Sequence, residues 1–269
     1  MILDTLAEAA KERVAVLEKK KGFAAVREEA ELIYKNENFA KKFMKSLQQP
    51  GLNFICECKK ASPSEGMIVK EFPYLDIAKA YEKGGAAAIS CLTEPEYFLG
   101  SDKYLKEIAE RVSIPVLRKD FTVSLYQIYE AKILGAASVL LICAILSPTQ
   151  LKEYRLAAES VGLDSLVETH DAGEVETALQ SGAVIIGINN RNLKDFSVDM
   201  NTCLGLRKEI PADKICVAES GIRTEGDIRR LKEAEFNGAL IGETLMRSGD
   251  PCGMLERFKN ALRHEAEYG

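Results

Sequence analysis

The sequence predicts an α/β fold, a (β/α)8 barrel with an N-terminal helical extension. Eight short β-branched or apolar runs recur along the chain, and an amphipathic helical stretch follows each of them. The first run leads into KASPSEG rather than a Gly-rich turn, which argues against the competing doubly wound sheet.

Residues 1–50 are read as the helical extension. Leu3, Leu6, Ala10, Val14 and Leu17 mark one amphipathic helix, KKFMKSL marks a shorter one, and Pro50-Gly51 forms the joint. Fifty sparsely apolar residues are too few for an independent core, so they and the barrel at 51–269 are expected to form one structural domain.

The runs NFICECK, AAAISCL, PVLRKD, SVLLICAI, DSLVET, VIIGIN, KICVAES and GALIGE begin near residues 53, 86, 115, 138, 164, 184, 214 and 238. Helix signals lie between them. Ser147-Pro148 with Gln150 predicts an N-cap, a proline at the first helical position and a capping-box partner; Asp171 with Glu174 and Thr224 with Asp227 repeat that logic. Leu125, Ile128, Tyr129 and Ile133 form one stripe ended by Gly135, and Asp250-Pro251 opens the last helix.

A net charge of −5 argues mildly against non-specific nucleic-acid binding, while leaving room for a local basic pocket. The seven cysteines are odd in number and fall mostly inside apolar runs, as free thiols of a reducing cytosol do. Charges crowd the first twenty residues and the longest apolar stretch, Val139 to Leu146, is too short for a bilayer. The expectation is a cytoplasmic protein with no leader and no membrane partner.

In such a barrel the C-terminal strand ends form the active face, and charges there are costly unless paired or functional. Glu57 and Lys59 end the first run and share a side. Lys119 ends the third, Glu168 the fifth, Asn189 and Arg191 the sixth, Glu219 and Ser220 the seventh. Lysines and carboxylates gathered in one mouth would perturb each other's proton affinities, as acid–base chemistry requires; a ring of structural salt bridges is the competing reading. With only His170 and His264 in the chain, a histidine-based triad or histidine-rich metal site is disfavoured, and His170 reads as a loop or supporting residue. Gly221 and Gly242, in the loops after the last two strands, would let backbone N–H groups approach a phosphate, though glycines also serve ordinary turns.

ECKKASPSEG, LTEPEYFLGS, VLRKDF, LVETH, GINNRNL, AESGI and LIGETLMR, in that order, closely resemble the indole-3-glycerol phosphate synthase family over nearly the whole chain. The resemblance implies conversion of 1-(2-carboxyphenylamino)-1-deoxyribulose 5-phosphate, a phosphorylated anthranilate derivative, to indole-3-glycerol phosphate with loss of carbon dioxide and water. It implies neither metal nor organic cofactor, and a monomer is expected. It casts Lys119 as the ring-closing general acid, Lys59 on the substrate carboxylate, and Glu57 with Glu168 as proton handlers whose order is open. Asn189 and Ser220 would orient the substrate's hydroxyls and reacting groups. Arg191 would lie near the carboxylate, and Gly221, Gly242 and Glu243 at the phosphate, with Ser62 helping at one of these anions. Phe98 and Phe121 would flank the aromatic ring; Glu219 joins the substrate-binding set. Glu65 stands where a basic residue is expected. The alternatives are an isomerase-like phosphate-binding barrel, a Schiff-base aldolase, and a non-catalytic barrel that binds a phosphometabolite.

Overall fold

The computed structural model describes residues 2–36, 42–192 and 195–263; Lys41, Leu193 and His264, singled out in the sequence, lie outside them. The strands in chain order are β1 (Asn53–Cys58), β2 (Ala61–Ser62), β3 (Gly66–Met67), β4 (Ala88–Leu92), β5 (Val116–Lys119), β6 (Ser138–Ile142), β7 (Asp164–Thr169), β8 (Ile185–Asn189), β9 (Ile215–Glu219) and β10 (Gly238–Ile241). β1 and β4 through β10 close a parallel barrel, sealed where Asn53 of β1 stands beside Gly238 of β10. Each barrel strand begins within two residues of the start read from the sequence. β2 and β3 form a small antiparallel hairpin within KASPSEG and the residues after it, which the sequence did not disclose.

The helices of the barrel are α4 (Tyr74–Lys83), α5 (Asp102–Ala109), α6 (Leu125–Ile133), α7 (Pro148–Ser160), α8 (Ala172–Gln180), α9 (Asn201–Leu206), α10 (Glu225–Glu233), α11 (Glu243–Arg247) and α12 (Pro251–Arg263). The caps at Ser147 and Thr224 are complete capping boxes, and Gly135 follows α6 with φ +85°. Asp171 departs from the expected pattern. Its side chain caps Glu174 N at 2.9 Å, but the Glu174 side chain turns to the backbone and ring of His170 instead of completing the box.

Side chains alternate across each strand, and this places the chemistry. Ile55, Leu117, Leu140, Leu166, Ile185, Val217 and Leu240 fill the barrel interior, while Phe54, Cys56, Val116, Val139, Val167 and Cys216 pack beneath the helices. All seven cysteines are unpaired thiols, six of them buried, as the sequence indicated. One of the outward residues is charged. Arg118 is 2% exposed, and its Nη2 donates at 2.8 Å to both Asp102 and Glu130 while Nη1 donates to the Gln127 carbonyl at 3.0 Å.

The extension holds α1 (Ile2–Lys20), α2 (Phe23–Asn36) and α3 (Lys42–Leu47), one helix more than was read from the sequence. α3 plugs the N-terminal end of the barrel with fully buried Phe43 and Leu47. α2 lies on α6, where Phe23 meets Tyr129 edge-on with ring centroids 5.7 Å apart. α1 is tied to the strand ends: Arg13 Nη2 donates to Asp120 Oδ1 at 2.6 Å, and Asp120 Oδ2 accepts from Thr93 Oγ1 at 2.6 Å. Among the described residues no helix is long and apolar enough to cross a membrane.

Candidate active site

The strand alternation that buries Ile55, Leu117, Leu166 and Val217 turns Glu57, Lys119, Glu168 and Glu219 into the barrel mouth two residues later. One cavity results, and every candidate site residue read from the sequence lines it: Glu57, Lys59, Ser62, Phe98, Lys119, Phe121, Glu168, Asn189, Arg191, Glu219, Ser220, Gly221, Gly242 and Glu243. The floor consists of Leu140, Ile142 and Leu240, and Ile2, Leu3 and Leu6 of α1 supply part of the wall.

Two charge clusters face each other across this cavity. In one, Lys59 Nζ lies 2.9 Å from Glu57 Oε1, and Ser90 donates to Glu57 Oε2 at 3.2 Å. In the other, Lys119 Nζ lies 2.9 Å from Glu168 Oε2 and 3.2 Å from Glu219 Oε2. Burial disfavours charge on Glu57, but Lys59, Lys119 and Ser90 outweigh it and lower its pKa. Glu168 is likewise held far below the usual carboxylate range by Lys119 and His170 against the cost of burial. Lys119 is desolvated, yet Glu168, Glu219 and Glu57 keep it firmly protonated.

Glu219 is the exception. It is 1% exposed, and neither oxygen makes a well-directed hydrogen bond despite the nearby ammonium. Burial, with repulsion from Glu168 and Glu57, outweighs Lys119 and pushes its pKa up to about 7. The folded state therefore retains a proton that the unfolded chain releases above its ordinary value of 4.5. Stability contributed by this group falls as pH rises from there to about 7. Glu219→Gln is expected to be more stable than the unaltered protein above pH 7, by on the order of 1–3 kcal/mol, with the difference vanishing in acid. Thermal unfolding of both proteins across pH 4–9 measures it.

Glycines make room for this crowding. A Cβ at Gly187 would collide with the Glu219 carboxylate, and one at Gly242 would come within 2.6 Å of Glu57 Oε1. Ser220 sits in the left-handed region at φ +65°, where a non-glycine residue is strained. It is held there by Asn190, whose Nδ2 donates to the Ser220 carbonyl at 3.0 Å and whose Oδ1 accepts from Cys203 N at 2.9 Å. Thr244 Oγ1 donates to the Ile222 carbonyl at 2.7 Å, tying the loop after β9 to the first turn of α11.

A sequence model of the indole-3-glycerol phosphate synthase family matches residues 3–258. The indole-3-glycerol phosphate synthase of Ruminiclostridium cellulolyticum is 52% identical over 261 residues, spanning 97% of this chain and 100% of that protein. The chain belongs to the indole-3-glycerol phosphate synthase family. The enzyme of the same name from Endomicrobium trichonymphae is also 52% identical, over 97% of this chain and 100% of its own length.

The family's carboxy-lyase activity in tryptophan biosynthesis is the activity of this chain. Solved structures carry the fold further than the sequence does. A 3-hexulose-6-phosphate synthase superposes with a TM-score of 0.63 at 13% identity, over 78% of this chain and 100% of its own. A thiamine phosphate pyrophosphorylase from Pyrococcus furiosus gives 0.59 at 14%, over 79% and 96%. At such identities the likeness speaks for the barrel alone.

Two residues that the sequence reading did not single out also lie at this site of the indole-3-glycerol phosphate synthase family member. Glu94 accepts from the backbone N–H groups of Glu96, Tyr97 and Phe98 at 2.8–2.9 Å, and so shapes the loop that presents Phe98. A buried acid in the motif LTEPEYFLGS was the available signal. Arg223 lines the cavity beside Gly221, adding a cation near the candidate phosphate loops. Glu65, where a basic residue was expected, lies 3.3 Å from Arg247 of α11, so its charge is paired with a side chain outside the cavity lining.

Proposed function

We propose that the cavity binds 1-(2-carboxyphenylamino)-1-deoxyribulose 5-phosphate and closes the indole ring with Lys119 as general acid. The observation that carries this reading is the position of Lys119. It is a protonated ammonium between Glu168 and Glu219, facing the Glu57–Lys59 pair across an apolar-floored cavity.

The phosphate would lie against the backbone N–H groups around Gly221, Gly242 and Glu243, where glycine lets an anion approach the chain. Lys59 and Arg191 would hold the carboxylate, with Ser62 alongside; Arg191 is steadied by Ser64 Oγ at 3.0 Å. Phe98 and Phe121, whose ring centroids stand 6.2 Å apart, would flank the anthranilate ring. Asn189 and Ser220 would orient the hydroxyls.

The ring carbon bearing the carboxylate attacks the ketone carbon, and the carbonyl oxygen takes the proton of Lys119. Breaking the bond to carbon dioxide returns its electron pair to the ring and restores aromaticity. A second stage protonates and expels the new hydroxyl as water while a base removes the neighbouring C–H proton. Glu57 and Glu168 divide that work. Together the two stages take up one proton per turnover. Holding the reacting carbons together contributes several kcal/mol, and one positioned acid about 10² to 10⁴ in rate.

Residues 1–50 and 51–269 are proposed to act as one unit, since α1 lines the cavity. The test is direct. Purified protein mixed with the carboxyphenylamino substrate is expected to produce indole fluorescence, and its absence under conditions where the protein is folded overturns the reading.

A further inference from the structure

His170 stands between two carboxylates, and its ring has a nitrogen for each. β7 ends at Thr169 and His170 follows it directly, its ring against the Glu168 carboxylate, while Thr169 between them is pinned by its hydroxyl, which donates to the Gly187 carbonyl at 2.8 Å. Behind the ring, Glu174 in the first turn of α8 accepts from the His170 backbone N–H at 2.9 Å and contacts Nδ1 at 3.0 Å with the same oxygen. In front of it, Nε2 lies 3.4 Å from Glu168 Oε1 and has no other partner. The other oxygen of Glu168 faces Lys119.

Counting protons on this chain of contacts decides its state. An ionised carboxylate only accepts, so Nδ1 must carry a hydrogen toward Glu174. A neutral ring would then present a lone pair to the Glu168 carboxylate, an arrangement that repels. A proton on the axis between Nε2 and Oε1 removes the repulsion. Burial alone would lower the ring's pKa, but the bonds and charges of Glu168 and Glu174 outweigh it and push it up to about 10. The charged groups facing this unit are Glu174 from α8, Lys119 from β5 and, around that lysine, Glu219 from β9 and Glu57 from β1.

We propose that His170, braced by Glu174, is a positioning residue that holds a proton against Glu168 and fixes the orientation and proton affinity of that carboxylate. The proposal rests on the reading above, in which Glu168 moves a proton during the reaction. It also distinguishes the two glutamates. Glu57 leans on buried Ser90 and on Lys59 of the cavity lining, whereas Glu168 is backed by a second cation outside that lining.

Two measurements test it. Imidazole NMR of the unliganded protein, with His264→Gln to assign the two histidines, is expected to show both ring nitrogens of His170 protonated at pH 8. Glu168→Gln should lower the His170 titration midpoint by about a unit or more. In kinetics, His170→Gln is expected to reduce kcat about tenfold with KM within about twofold, and to shift the acid limb of its pH profile upward, because Glu168 loses a neighbouring cation. Glu174→Gln should move both readouts the same way by less. A neutral His170 at pH 7, or a His170→Gln pH profile matching the unaltered protein, overturns the proposal. Should His170→Gln not fold, Glu174→Gln and the NMR midpoints decide it. An unaltered protein that never turns over the substrate refutes the functional reading instead, and leaves the NMR result to judge His170 by itself.

Discussion

Lys119→Met is expected to lower kcat by about 10² to 10⁴ while leaving KM within a few-fold. Met keeps much of the stem's volume and removes only the proton donor, so the phosphate and carboxylate contacts, which lie elsewhere in the cavity, persist. The charge balance shifts in a defined direction. Glu168 and Glu219 lose the ammonium that lies 2.9 and 3.2 Å from them, and two buried carboxylates side by side favour sharing a proton. The variant therefore takes up a proton near neutrality instead of unfolding. Lys119→Arg restores the charge but not the rate, because a guanidinium does not release its proton at this pH. Indole fluorescence over a range of substrate concentrations separates kcat from KM, and near-normal turnover by the Met variant would refute the acid assignment.

Arg118→Met is expected to cost about 3–5 kcal/mol of stability with little change in kcat for the protein that remains folded. Arg118 and Lys119 are neighbours in sequence but face opposite ways, one under the helices and one into the mouth. Removing the guanidinium strands Asp102 and Glu130, and Asp120 loses a charge 3.8 Å away. Arg118→Lys should recover only part of the loss, since one ammonium cannot reproduce bonds to two carboxylates and the Gln127 carbonyl. Burial already raises the pKa of Glu130 despite Arg118, so the penalty should shrink as pH falls and this group takes a proton. Urea unfolding at pH 5 and pH 8 reads both the cost and its pH dependence.

The barrel and its mouth were legible because period-two alternation does two jobs in this chain. It spaces Leu117 from Lys119 and Val217 from Glu219, so apolar runs that end in a charge announce both a strand and a site. Helix α2 was missed because its stripe of Phe23, Val26, Ala30 and Ile33 is diluted by charges, and only Val26 and Ala30 are buried. The hairpin of β2 and β3 is too short for any period to show. Glu174 has the spacing of a capping box, and nothing local in the sequence says that a histidine one position before the cap will claim its carboxylate. The part played by α1 was also hidden. An amphipathic stripe shows that a face will be covered, not that Leu3 and Leu6 will cover a cavity.

The docking of α1 sets an order of assembly. Arg13 and Asp120 are 107 positions apart, and β1 cannot find its second neighbour until Gly238 and the residues beside it exist. At about 5–20 residues per second during synthesis, α1 waits several seconds or more for the strand end that receives it. A free helix of 19 residues is only marginally stable in water, so during that interval its apolar face is a hazard rather than an asset. The part of the cavity wall that α1 supplies is thus made well before the strand end that seats it, and the pocket is complete only once that seating has taken place.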